Sequence, residues 1–205
     1  GEPESVQIPE SHPLRPANPY GSSKMACERV LSDMSAAGQL RYAALRYFNA
    51  AGADPDARIG EAHVPETHLI PLAVRAVRDP EFMLDVFGQD FPTRDGTAVR
   101  DYIHVDDLAH AHVRALERLL QGATALALNL GTGTGTSVRE VIDACARVLG
   151  REPKHRVAGR RTGDVAALVA DPARARAELG WTPGQSDIDS IVRSAAAWDS
   201  VLHGA

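Results

Sequence analysis

Cysteine is scarce in this sequence. Only Cys27 and Cys145 occur among 205 residues, and they stand far apart. They form no metal or redox motif, which makes a reducing, cytoplasmic setting the simplest home. Basic charge is also in deficit: 22 Lys and Arg stand against 27 Asp and Glu, a net charge of −5. That balance gives no electrostatic footprint for nucleic acid or an anionic membrane, although a few placed arginines could still hold an anionic substrate. No apolar run approaches the ~20 residues of a membrane span. The opening stretch GEPESVQIPE lacks both the basic and the apolar regions of a signal peptide. There is no internal repeat and no low-complexity linker. What is present, 44% hydrophobic and 24% charged residues, is the composition of a folded domain rather than a disordered one.

Periodicity divides the chain into alternating strands and helices. Pro3, Pro9, Pro13, Pro16 and Pro19 make residues 1–19 an extended loop, neither helix nor central strand. Helical spacing of Cys27, Val30, Leu31 and Met34 predicts a helix over 22–37, stopped by Gly38. A strand is expected over 41–49, a loop through Pro65, then a helix with Pro71 in its first turn and a strand over 82–88. The next helix should be capped by Asp106 and bury Leu108, Ala111, Ala115 and Leu119. ALALNLG reads as a strand, and Ser137 with Glu140 forms a capping-box spacing at the head of helix 137–149. Asp171-Pro172 opens another helix that ends near Gly180, and a last one carries Ile188, Ile191, Ala195, Trp198 and Leu202. Such alternation favours an α/β protein with a parallel sheet.

Two motifs suggest chemistry. Gly131, Gly133 and Gly135 lie between a strand and a helix, as in a dinucleotide-binding loop, but the third glycine of G-x-G-x-x-G would fall on Thr136. A tight strand-to-helix turn explains them equally well. NPYGSSK places Tyr20 and Lys24 four residues apart, hence on one helix face. A phenol is a poor base at neutral pH. A neighbouring ammonium favours its phenolate, which could then take a proton from a sugar hydroxyl while hydride leaves the same carbon. The alternative is a half-buried tyrosine beside a solvated lysine. His110 and His112, two apart on a helix, cannot share a face well and are read as structural or exposed; no metal site is expected.

The segment NPYGSSK resembles the active-site helix of the extended short-chain dehydrogenase/reductase family. LRYFNAAGADP, GQDFPTRDGTAVRDYIHVDDLAHAHVRAL, LNLGTGTGTSV and RRTGDVAALVADPARARAELGW then resemble, in order, segments of the UDP-glucose 4-epimerases within it. The resemblance implies part of a Rossmann-like, doubly wound parallel sheet plus a smaller α/β substrate-binding lobe. Residues 1–60 would belong to the dinucleotide-binding domain and 61–205 mainly to the UDP-sugar lobe, with 101–130 returning to the sheet. It implies bound NAD, UDP-glucose and UDP-galactose as substrates, a homodimer, and no nucleic-acid or membrane partner. Tyr20 would be the catalytic base and acid, and Lys24 would bind the nicotinamide ribose. Tyr47 and Phe48 would line the nicotinamide pocket, and Asn49 would touch the UDP-sugar. His68, where several epimerases carry asparagine, and Leu69 would border the substrate. Phe87 would lie against uracil. Arg100, Arg161 and Asp164 would clamp the UDP moiety, with Tyr102 on the same strand face as Arg100. Leu168 would lie beside the sugar's C2 substituent. Guanidinium forks suit diphosphate oxygens, and a carboxylate suits ribose hydroxyls.

Only 19 residues precede Tyr20, whereas a βαβ unit needs about 30. The chain is therefore expected to correspond to the C-terminal part of such an enzyme and to be inactive alone. Two other readings stay open. One is another NAD-dependent nucleotide-sugar enzyme, a 4,6-dehydratase or decarboxylase. The other is a catalytically dead UDP-sugar-binding module.

Overall fold

The computed structural model describes residues 3–204. The elements run β1 (Gln7–Ile8), α1 (Pro19–Ala36), β2 (Tyr42–Tyr47), β3 (Asn49–Ala51), α2 (Leu69–Arg78), β4 (Leu84–Phe87), β5 (Val99–Arg100) and β6 (Tyr102–His104). There follow α3 (Val105–Leu120), β7 (Ala125–Leu130), β8 (Thr136–Ser137), α4 (Val138–Leu149), β9 (His155–Ala158), β10 (Ala167–Ala170), α5 (Ala173–Leu179) and α6 (Ile188–His203). Strand pairs β2–β7, β3–β6 and β4–β9 are parallel. A fourth sheet has the order β1-β10-β5-β8, parallel except for β5–β8. This is the α/β architecture that the alternating pattern predicts. No helix among the described residues is long and apolar enough to cross a membrane.

Two cores hold the chain together. Leu126, Leu128 and Leu130 of β7 pack with Ile103 of β6, with Leu108, Ala111 and Ala115 of α3, and with Ala175, Leu179 and Trp181. The period-2 leucines of β7 thus meet the helical stripe expected for α3, with Leu119 at its margin. The second core joins Ile70, Ala73, Ala76 and Val77 of α2 to Leu84 and Val86 of β4, to Val141, Ile142, Ala144 and Cys145 of α4, and to Ile191 and Val192 of α6. Each fully buried Leu, Ile or Val stabilises the fold by roughly 1.5–3 kcal/mol. Burial also pushes the Cys145 thiol up to about 12, so it stays protonated and inert.

The caps show where local sequence rules hold and where they yield. Ser137 and Glu140 form the full capping box of α4. At α3 the cap is His104 rather than Asp106: its ring Nδ1 accepts the Asp106 amide at 3.1 Å. The strand β6 runs straight into the helix, so the last strand residue occupies the capping position. The helix predicted over 22–37 starts earlier, at Pro19, because Asn18 accepts the Gly21 amide at 2.8 Å and proline suits the first turn. Its apolar positions do not form a buried face among the described residues; Val30 and Met34 remain exposed. The single strand expected over 41–49 divides at Phe48, after which the chain changes partner from β7 to β6. The proline-rich start also contributes β1, an edge strand against β10.

Candidate active site

A cleft of about 210 Å³ is lined by Asn49, His68, Leu69, Phe87, Arg100, Tyr102, Arg161 and Asp164. These are the substrate-side residues expected from the sequence, apart from Leu168. Strand alternation explains the core of the arrangement. Arg100 and Tyr102 face the cleft, and Asp101 between them is fully buried on the opposite side. Arg100 lies under the chain that precedes β10: its Nη1 donates to the Val99 and Val165 carbonyls at 2.8 and 3.0 Å. Its Nη2 stands 3.7 Å from Asp164. Arg161 Nε donates to the same carboxylate at 3.1 Å, and its guanidinium sits 4.5 Å from the centre of the Phe87 ring. Two guanidinium cations therefore share the Asp164 carboxylate, in a cleft also lined by Glu61 and by Asp85, which pairs with Arg156.

Arg100 and Arg161 are the cationic groups of this cleft. Burial is the main influence on Arg100 and lowers its proton affinity, with Arg161 acting in the same direction against the pull of Asp164. An arginine still stays charged, so both guanidiniums keep their donors for an anion. Tyr102 is pushed up to about 12 by burial and remains a neutral phenol.

A second cleft of about 330 Å³ is lined by Lys24, Phe48, Asn129 and Leu168, among others. The two clefts are linked by strand register, since Leu168 of β10 pairs with Arg100 of β5. Tyr20 and Lys24 come together as their spacing requires, with the ammonium 5.3 Å from the centre of the phenol ring. Tyr20 is 71% exposed and lines neither cleft. Helix α1 is fixed by Arg46 of β2, which makes two bonds to the Glu28 carboxylate, the longer at 2.7 Å. That pairing raises the proton affinity of Arg46. Tyr47 does not join this group. It ends β2 with its ring 6.3 Å from that of His112 on α3.

Sequence reasoning missed Asp101. Its carboxylate accepts the amides of Thr132, Gly133 and Ala170 at 2.8–3.1 Å and the Thr132 hydroxyl at 2.7 Å. The glycine turn at 131–135 thus wraps a carboxylate of its own chain instead of a phosphate. A Cβ on Gly131 would stand 2.5 Å from Asp101 Oδ2, and Gly135 has φ +68° with Val169 and Val99 against it. The signal, an acidic residue two strands away, lies 31 positions upstream, too far to be read from local pattern.

The chain is similar to known proteins over nearly its whole length. Residues 1–131 match the profile of the NAD dependent epimerase/dehydratase family. The chain is 54% identical to the UDP-glucose 4-epimerase of Rhizobium leguminosarum bv. trifolii over 198 residues, covering 97% of this chain and 60% of that protein. The crystal structure of UDP-glucose 4-epimerase from Brucella ovis in complex with NAD superposes with a TM-score of 0.92 at 50% identity, over 96% of this chain and 60% of that one. The UDP-glucose-4-epimerase of Stenotrophomonas maltophila with bound NAD and formylated UDP-arabinopyranose gives 0.95 at 39% identity, over 100% of this chain and 61% of that one. The chain spans about 60% of the length of the curated relatives it matches.

Proposed function

The chain belongs to the NAD dependent epimerase/dehydratase family, and from that premise we propose that it holds the UDP-sugar and performs proton transfer in a UDP-glucose 4-epimerase, which interconverts UDP-glucose and UDP-galactose with NAD. The observation that carries the reading is that a cleft holding Arg100, Arg161, Asp164 and Phe87 and a cleft holding Lys24 and Phe48 are lined by neighbouring residues, Asn49 beside Phe48 in sequence and Arg100 paired with Leu168 across β5 and β10.

The donor set fits the nicotinamide end of NAD. Lys24 offers an ammonium for ribose hydroxyls, and Phe48 offers a flat apolar face beside it. The glycine turn at 131–135 is not a phosphate cradle for it, because the Thr132 and Gly133 amides are consumed by Asp101. NAD, when bound, accepts and returns the hydride of the sugar C4. Tyr20 removes the proton of the 4-hydroxyl and returns it after the 4-keto sugar has turned. Lys24, on the same helix face, favours the phenolate while the proton is away. Arg100 and Arg161 hold the diphosphate, Asp164 orients them and meets ribose hydroxyls, and the Phe87 ring stacks on uracil. Asn49, His68, Leu69 and Tyr102 complete the wall on the substrate side, and Leu168 marks where the hexose reaches the Lys24 cleft. Firm anchoring of UDP with sparse contacts to the hexose leaves the sugar free to rotate, as epimerisation requires. A cytoplasmic setting and a homodimer complete the proposal. The first is supported by two unpaired cysteines, and the second by the resemblance and by the exposed apolar residues Met25, Val30 and Met34 on α1.

Titration calorimetry with UDP tests the anchoring. Arg100→Ala and Arg161→Ala should each weaken UDP binding by roughly 1.5–3 kcal/mol, the range for charged hydrogen bonds, or about 10- to 150-fold. Arg100, the more buried of the two, should show the larger loss. Wild-type affinity in both variants would place the nucleotide elsewhere.

A further inference from the structure

The loop that leads into α2 gathers four potential ligands that sequence periodicity does not reveal. Glu61, His63, Glu66 and His68 each present a donor atom, and all four atoms lie within 4.8 Å of one another. His63 Nδ1 lies 2.7 Å from Glu61 Oε1, and His68 Nδ1 lies 2.5 Å from the same oxygen and 3.0 Å from Glu66 Oε1. The rings of His63 and His68 stand 5.1 Å apart between centroids. Both carboxylates are mostly shielded, with side chains 19% exposed. Among the described residues neither meets a lysine or arginine; their only charged partners are the two histidines, which carry charge only when protonated.

The backbone holds this group in place. Glu66 Oε1 accepts the amides of Thr67 and His68 at 2.6 and 2.7 Å, and the Glu61 carbonyl accepts the Trp198 indole N–H of α6 at 2.7 Å. At Gly60 the chain passes so close to Trp198 that a Cβ would stand 2.4 Å from the ring. Upstream, Asp54 closes the turn with two bonds to Arg58, at 2.8 and 2.7 Å. The four side chains are thus brought together by a loop tied at both ends.

We propose that Glu61, His63, Glu66 and His68 form a binding site for a divalent transition-metal ion, best suited to zinc, that clips this loop at the rim of the cleft holding Arg100. Two imidazole nitrogens and two carboxylate oxygens form a mixed set that suits zinc and disfavours magnesium and calcium, which take oxygen ligands. Zinc–nitrogen bonds of about 2.0–2.1 Å set tetrahedral ligands about 3.3 Å apart, so the close contacts of 2.5, 2.7 and 3.0 Å would open by about 0.3–0.8 Å while the wider donor pairs, within 4.8 Å, close onto the ion. Glu61, His63 and Glu66 line a separate cleft of about 700 Å³ between this loop, α2 and α6, which gives an ion a path of entry. Glu61 and His68 also border the cleft holding Arg100. The ion would therefore fix the wall that holds His68, the residue immediately before α2. The site shares His68 with the wall of the proposed substrate cleft, but zinc binding itself is read out without the sugar chemistry.

The test uses purified protein stripped with a chelator and titrated with zinc by calorimetry, and with cobalt by visible absorption. One zinc should bind per chain, and cobalt should give the intense visible bands of a tetrahedral centre. His63→Ala and Glu66→Gln should each weaken zinc binding by ~100-fold or more, at least the loss known for weaker second-layer changes. His203→Ala, which removes the other histidine lining the 700 Å³ cleft, should leave affinity unchanged. Zinc at ~100 times its Kd should raise Tm by at least ~5 °C in the wild type and by much less in the His63 variant. Far-ultraviolet circular dichroism shows whether each variant is folded. Absence of 1:1 binding, or wild-type affinity in both folded variants, would overturn the proposal.

Discussion

Under the proposed epimerase chemistry, Tyr20→Phe should lower turnover by at least ~100-fold, the low end for loss of a general acid–base group. The substitution removes one hydroxyl and keeps the ring beneath Lys24, 5.3 Å from its ammonium. At a position 71% exposed the fold loses nothing measurable, because the phenol is not part of either core. The defect should therefore lie in kcat, with UDP-sugar KM within a few-fold of wild type, since the UDP clamp is untouched. The comparison is made in an active form extended to the length of the curated relatives, wild type beside variant, with UDP-galactose and NAD. Turnover near wild type would remove Tyr20 from the mechanism. Lys24→Met, which keeps length but not charge, should produce a smaller loss by the same route.

Asp101→Ala destabilises the chain by about 3–5 kcal/mol, among the largest single effects available to it. Desolvating a carboxylate is costly, but here the cost is already met by three amides and a hydroxyl. Deleting the acceptor leaves the Thr132, Gly133 and Ala170 amides without partners, each worth ~1–3 kcal/mol when buried, offset in part by entering water. In a chain of this size such a loss lowers Tm by roughly 6–20 °C. The exposed pair Arg29–Asp33 supplies the contrast: Asp33→Ala should change stability by less than ~1 kcal/mol. Differential scanning calorimetry of both variants decides the matter. A small shift in Asp101→Ala would mean that the glycine turn holds itself. Because Asp101 lies between Arg100 and Tyr102, the same variant should also weaken UDP binding wherever it remains folded.

How much of this was legible depends on how local each determinant is. The capping box at Ser137 and Glu140 and the Tyr20/Lys24 pairing are set within one helical turn, and both stand as the spacing requires. The Arg100/Tyr102 face follows from strand alternation, and the two line one cleft with Arg161 and Asp164, residues whose proposed roles come only from the family resemblance. Determinants that act across the fold were not legible. His104 displaces Asp106 as the cap because β6 meets α3 without a linker. The glycine turn looks like a nucleotide loop because nothing local shows that Asp101 is its anion. The apolar positions of α1 have the right period, yet periodicity shows only which face could be buried, not whether anything covers it. The Glu61–His68 cluster lies on a loop, where neither helical nor strand period applies, so only the folded chain brings its ligands together.

The proposed epimerase chemistry is tested most directly by following UDP-galactose deuterated at C4 through the reaction with NAD by nuclear magnetic resonance. Epimerisation, with hydride leaving and returning at one carbon and Tyr20 handling only the hydroxyl proton, predicts UDP-glucose with deuterium still on C4 and none lost to water. Deuterium appearing at C6 of a deoxy keto sugar, deuterium washed into solvent, or UDP-galactose bound but unchanged by the active-length protein would contradict it.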